Sequence, residues 1–166
     1  WTCLEVPTKC TLKGAGIGAT TIKIASTVTN QTIGIDNKRL DTPDDRNIVL
    51  RDFTLDCNKA SFSTVSGYDR IMGIVTSRVN NLLIESVRVI NLFGTASGGN
   101  GPNGTPGEAY AITPILAQGA VISNCVVEDG AAAVGSSGDS TIQSHNVRVI
   151  NVRVKNIAQV GFTLYY

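Results

Sequence analysis

Asp69 in Gly-Tyr-Asp-Arg and Glu108 in Gly-Glu-Ala-Tyr are the two carboxylates whose surroundings best suit chemistry. Each has a tyrosine close by, Tyr68 for the first and Tyr110 for the second, and Arg70 follows Asp69. Glycoside cleavage needs two carboxyl groups facing each other across the substrate, one to protonate the leaving oxygen and one to act as base or nucleophile. A tyrosine beside each could stack on a sugar ring. The predicted site is therefore Asp69 and Glu108 as catalytic groups, with Tyr68, Arg70 and Tyr110 binding carbohydrate. The same residues also read as solvated loop charges with tyrosines shielding a core, and the sequence leaves both readings open.

Other chemistry is poorly served. Glu128 and Asp129 are adjacent, and neighbours in extended chain point apart, so they do not make an acid–base pair. His145 is the one histidine, with no identifiable partner for a triad or a metal, and reads as a surface corner residue. Cys3, Cys10, Cys57 and Cys125 form no C-x-x-C pair, so no zinc site and no cofactor are expected. These thiols read as small apolar groups packed in or near a core. A Cys3–Cys10 disulfide is the alternative in an oxidising compartment. Gly14-x-Gly16-x-Gly18 looks like a phosphate loop, but such a loop must open a helix. The adjoining residues, TTIKIAS, are β-branched and alternate, which predicts a strand.

The chain has 166 residues and a net charge of +1. That length suits one domain with a sizeable core, and that charge favours neither a polyanion nor a membrane surface. Val, Ile, Thr, Asn and Gly are abundant, a β composition. No apolar run approaches the ~18 residues needed to span a bilayer, so no membrane insertion is expected. The chain begins at Trp1 and holds a single Met, Met72, so it is expected to be processed or a piece of something longer.

What would position the candidate residues is a repeat. NIVLRDFTLDC (Asn47–Cys57), NLLIESVRVIN (Asn81–Asn91), GAVISNCVVED (Gly119–Asp129) and NVRVINVRVKN (Asn146–Asn156) share one pattern. Four apolar columns run through them: Ile48, Leu82, Ala120, Val147; Leu50, Ile84, Ile122, Val149; Phe53, Val87, Cys125, Val152; Leu55, Val89, Val127, Val154. Within each pair the spacing is two, which puts both side chains on one face of a strand. Between the pairs it is three, which breaks the alternation unless the chain turns a corner. A polar column, Asp52, Ser86, Asn124 and Asn151, sits there, and Asn and Asp tolerate left-handed backbone.

A third short strand precedes each unit: Thr32–Ile35, Met72–Val75, Tyr110–Thr113 and Ala133–Gly135. At the N-terminus, Cys10 and Leu12, then Ile22 and Ile24, supply an earlier unit. Three short strands per turn, stacked for about five turns, predict an all-β fold of the parallel β-helix type across residues 1–166 as one domain. The excess residues fall between turns, as in SGGNGPNGTPG (Ser97–Gly107), and would border a binding surface. Outward on the stack, Arg88 and Arg153 share a column one turn apart and, stacked, would lie ~4.8 Å from each other. This basic stripe lacks interleaved aromatics, so no nucleic acid partner is expected.

The run V-P-x-x-C-T-L-K-G-A-G-x-G-A-T-T-I (Val6–Ile22), the run Ile48–Asp56 and the later n-V-x-I-x-N-V-x-V-x-N units resemble the pectate-lyase-like right-handed β-helix superfamily. The likeness covers nearly the whole chain and is most similar to the branch found in bacteriophage tailspikes and secreted polysaccharide-degrading proteins. It implies a right-handed helix, an Asn-rich corner ladder, polysaccharide binding along one outer sheet, an extracellular or virion-surface location and, from the phage members, a homotrimer. The family's catalytic motifs do not carry over. The Asn-Thr-Asp-Gly, Gly-His-Gly and Arg-Ile-Lys pattern of polygalacturonases is absent, Asp44-Asp45 lies in a turn-like stretch, and the Arg-x-Pro-x-x-Arg of pectate lyases is missing. Three functions stand as expectations: a tailspike-type binder with or without glycan cleavage, a secreted lyase or hydrolase, or a non-catalytic spacer that oligomerises or stacks end to end.

Overall fold

The computed structural model of the chain describes residues 3–26, 32–37, 45–61, 71–92, 110–136 and 144–164. Its strands are β1 (Leu4–Val6), β2 (Thr11–Lys13), β3 (Thr21–Lys23), β4 (Thr32–Asn37), β5 (Asp45–Asp56), β6 (Ile71–Ser77), β7 (Val79–Ile90), β8 (Tyr110–Ile115), β9 (Gln118–Ser123), β10 (Val126–Ser136), β11 (Arg148–Ile150) and β12 (Arg153–Leu164). One 3-10 turn, Lys59–Ser61, completes the elements. The protein is all-β, and every strand pairing is parallel. No helix among the described residues is long and apolar enough to cross a membrane.

The long strands bend, and their parts pair in three ladders. The first runs β2, Ile48–Arg51, Leu82–Glu85, β9 and β11. The second runs β3, Phe53–Asp56, Val87–Ile90, Val126–Glu128 and Arg153–Lys155. The third runs β1, β4, β6, β8, Ala132–Ser136 and Val160–Leu164. Successive repeat units are therefore in-register layers, as the 2-3-2 spacing predicts. Ile48 pairs with Leu82 and Leu82 with Ala120; Leu55, Val89, Val127 and Val154 form one unbroken column.

The corners are left-handed. Asp52, Ser86, Asn124 and Asn151 have φ of 62°, 53°, 53° and 50°. Two further columns do the same: Asn47, Asn81 and Asn146 before the first ladder, and Asn58, Asn91, Asp129 and Asn156 after the second. Gly119 takes the same turn at φ 76° in the first of these columns. Asn, Asp and Gly bear this conformation at least cost, which is why they recur at fixed intervals.

Side chains from all three ladders meet in one apolar core that includes Ile35, Ile74 and Ile112, Leu50, Ile84 and Ile122, and Leu55, Val89 and Val127. Phe53 is the bulkiest fully buried side chain. The third ladder is buried on both faces along its middle: β4 is buried at every residue, and Ile33, Met72 and Val75 form a second apolar cluster. Parallel ladders favour such two-sided burial. Gly73 is needed for close approach. A Cβ there would lie 2.3 Å from the Ala111 carbonyl oxygen and 2.9 Å from a Val89 methyl carbon.

Candidate functional site

Asp69 and Glu108, with Tyr68 and Arg70, lie outside the described residues. So do Ser97–Gly107 and Asp44. Of the five predicted site residues, Tyr110 is described. It opens β8 and is 8 % exposed. Its ring lies against Gly135, where an added Cβ would come within 3.0 Å of ring carbons. The polar groups near it on the third ladder are also buried. Asp36, Val75 and Thr113 share one column, and Thr113 and Thr76 hold hydroxyls without a hydrogen-bond partner among the described residues.

The first two ladders carry the more open faces, although Thr54 and Ser123 on them are buried. Outward along the first run Thr11, Val49, Leu83, Val121 and Arg148, beside Lys13, Arg51, Glu85, Ser123 and Ile150. Outward along the second run Thr21, Thr54, Arg88, Val126 and Arg153, beside Lys23, Asp56, Ile90, Glu128 and Lys155. Charges on these faces are matched between layers. Lys23 lies 3.7 Å from Asp56, Arg51 lies 3.3 Å from Glu85, and Arg88 pairs with Glu128.

The register corrects the expected arginine stripe. Val126 pairs with Arg88 on one side and Arg153 on the other, so the two arginines are separated by a whole layer. They share a column but do not stack, and Arg88 is already held by Glu128.

The corners carry amide ladders. Asn151 donates from Nδ2 to Oδ1 of Asn124 at 2.8 Å, Asn156 to Asp129 at 2.8 Å, Asn91 to Asp56 at 2.9 Å and Asn81 to Asn47 at 3.2 Å. Asp129 is thereby a corner acceptor and Glu128 an ion-pair partner, which gives both members of that acidic pair structural work. His145 is exposed, and its backbone bridges Gln118.

Compared with family models, curated proteins and solved structures, the chain matches none of them.

Cys10 is an unbonded thiol, so the Cys3–Cys10 bridge is not formed. Cys57 and Cys125 are buried. Burial pushes the Cys125 thiol up to about 11 and raises that of Cys57 further, with Asp56 adding to the effect. Both are neutral packing groups, because the thiolate is the reactive form. No group of three or more metal-ligating side chains occurs among the described residues.

Sequence reasoning missed the corner residues Arg78 and Leu116, with φ of 55° and 53°. Neither residue type signals a left-handed turn. The available signal was position, since each stands three residues before a column-forming Asn81 or Gly119.

Proposed function

We propose that the chain winds as a right-handed parallel β-helix and binds a polysaccharide along its outer surface. The observation that carries the reading is the set of exposed amide ladders at the corners. Asn124 and Asn151, and Asp129 and Asn156, repeat hydrogen-bonding groups at the layer spacing, ~4.8 Å. A regular array of donors and acceptors on a rigid support suits a polymer that is itself a repeat. The three in-register ladders around one core support the helical winding, and the right hand is what the family resemblance implies.

Asp69 and Glu108 are the candidates for cleavage and Tyr68 and Arg70 the candidates for sugar contact, whereas Tyr110 is buried against Gly135 and drops out of the expected set. The phage-type resemblance adds a homotrimer and a virion-surface or extracellular setting to the proposal. A glycan array followed by incubation with the bound polysaccharides tests it. Binding with new reducing ends marks a hydrolase, and binding with unsaturated products marks a lyase. If Asp69→Asn and Glu108→Gln keep binding but lose products, the two carboxylates carry the chemistry. A chain that binds no glycan on the array overturns the reading.

A second reading, a stiff non-catalytic spacer, is favoured by one observation. Three of the outward cations are paired between layers, Lys23 with Asp56, Arg51 with Glu85 and Arg88 with Glu128, contacts that link one layer to the next.

A further inference from the structure

The outer face of the first ladder carries an aliphatic stripe. Val49, Leu83 and Val121 stand in one column on successive layers, each half-buried and pointing away from the core. Two residues along the strands runs a polar column, Lys13, Arg51, Glu85 and Ser123. Arg51 and Glu85 lie 3.3 Å apart, yet their side chains remain 39 % and 29 % exposed. Asp52 also accepts from the Arg51 guanidinium at 2.8 Å. A contiguous apolar stripe on a rigid sheet marks an interaction face.

The order of charge along the polar column selects the partner. Counting β2 as layer one, β5, β7 and β9 supply layers two, three and four. The cation stands on layer two and the carboxylate on layer three. Consider a two-fold axis parallel to the strands, set between those layers. It reverses the stack and keeps each column opposite itself. Val49 of one copy then faces Leu83 of the second, and Arg51 faces Glu85, with each contact made twice. Layer one meets layer four, with Thr11 opposite Val121 and Lys13 opposite Ser123, and no like charges meet. The four central charges alternate in sign, and such a network contributes more than isolated exposed pairs do.

Other placements lose this match. An axis through layer three sets Glu85 on Glu85, and one through layer two sets Arg51 on Arg51. Copies aligned in the same direction, as in a three-fold assembly, also match like charge with like. The homotrimer that the family resemblance implies would therefore use a different face. The central residues Val49, Arg51, Leu83 and Glu85 belong to layers with a paired neighbour on either side, so the contact owes nothing to the ends of the stack.

We propose that the outer face of the first ladder is a self-association surface, on which two copies of this chain pack face to face and antiparallel about a two-fold axis between layers two and three. The inference rests on register, apolar exposure and charge order, and it holds whichever ligand the other faces take.

Sedimentation equilibrium of the 166-residue chain at low ionic strength tests it. The face is small, so a weak dimer in the micromolar-to-millimolar range is expected. Each variant is first checked for a native β circular-dichroism spectrum. Arg51→Glu and Glu85→Arg each turn both central ion pairs into like-charge contacts and are expected to weaken the dimer by about 10-fold or more. The double variant restores opposite charges within and between copies and returns to wild-type affinity. An equimolar mixture of the two single variants also dimerises, because each supplies the charge that the other lacks. Leu83→Lys leaves the ion pair in place and is expected to weaken the dimer as strongly, so it keeps the test decisive if a charge variant fails to fold. The proposal is overturned by a wild type that stays monomeric into the millimolar range or forms a trimer. It is equally overturned by a dimer that any folded single variant leaves intact, or by a double variant or mixture as weak as the singles.

Discussion

Asn151 donates a 2.8 Å hydrogen bond from its side-chain amide to the side-chain oxygen of Asn124, its counterpart one layer earlier, and both residues stand in left-handed backbone. One side chain thus does two things. It makes the corner cheap, and it ties that corner to the one before.

Those two roles separate by substitution. Asn151→Gly keeps the corner and loses the amide bond, which costs about 1 kcal/mol. Asn151→Ala loses the bond and also the short polar side chain that lets Asn bear left-handed backbone, a further ~1 kcal/mol. Urea unfolding is expected to rank wild type above Gly and Gly above Ala. An Ala variant as stable as the Gly variant would show that the corner conformation costs nothing here.

Arg78 offers the opposite gain. It is exposed, its φ is 55°, and its backbone NH donates to the Ile115 carbonyl at 2.9 Å. Arg78→Asn retains that bond and puts at the corner a residue whose short polar side chain tolerates left-handed backbone, and stability is expected to rise by about 0.5 kcal/mol. A midpoint that falls instead would mean that the arginine side chain makes a stabilising contact of its own.

How much of this could be read beforehand depends on the residue. The four apolar columns and the corner at Asp52, Ser86, Asn124 and Asn151 follow from spacing, because a 2-3-2 interval has one geometric solution when all its members must face one interior. Arg78 and Leu116 do not, because a left-handed turn at Arg or Leu is imposed by the stack and leaves no mark in composition. The arginine stripe fails for a different reason. Arg88 and Arg153 align in the repeat, yet the unit between them places Val126 in that column. The candidate carboxylates Asp69 and Glu108 lie in long stretches between units that the repeat does not constrain, so no register argument reaches them.

Glycine placement gives a sharp contrast. Gly73→Ala drives a Cβ to 2.3 Å from the Ala111 carbonyl oxygen, inside a parallel ladder with little room to shift, and is expected to cost about 3 kcal/mol. Gly18→Ala meets nothing within 4 Å and is expected to lie within ~0.5 kcal/mol of wild type. Thermal unfolding of the pair checks both, and similar midpoints would refute the packing at Gly73.

The buried thiols predict alkaline behaviour. Folding raises the Cys125 pKa from 9.0 to about 11, so the unfolded chain loses that proton first as pH rises. The stabilising difference is intact below about pH 9 and is lost progressively toward pH 11. Cys57 acts in the same sense. Cys125→Ala is expected to flatten the fall in stability across that window. A thiol-reactive reagent at about pH 8, just below the ordinary thiol pKa, should label the half-buried Cys10 quickly and reach Cys57 and Cys125 only on unfolding. Fast labelling of all three in the native protein would contradict their burial.

The four amide bonds between corners all point one way. Asn81, Asn91, Asn151 and Asn156 each donate to an earlier layer, and two of the acceptors, Asp56 and Asp129, are carboxylates that can only accept. A finished layer therefore leaves its side-chain oxygens waiting, and the next layer arrives carrying the donors. A ribosome delivers the layers in that same order, first to last. Each corner bond therefore ties a layer to the one made before it and fixes the register between the two.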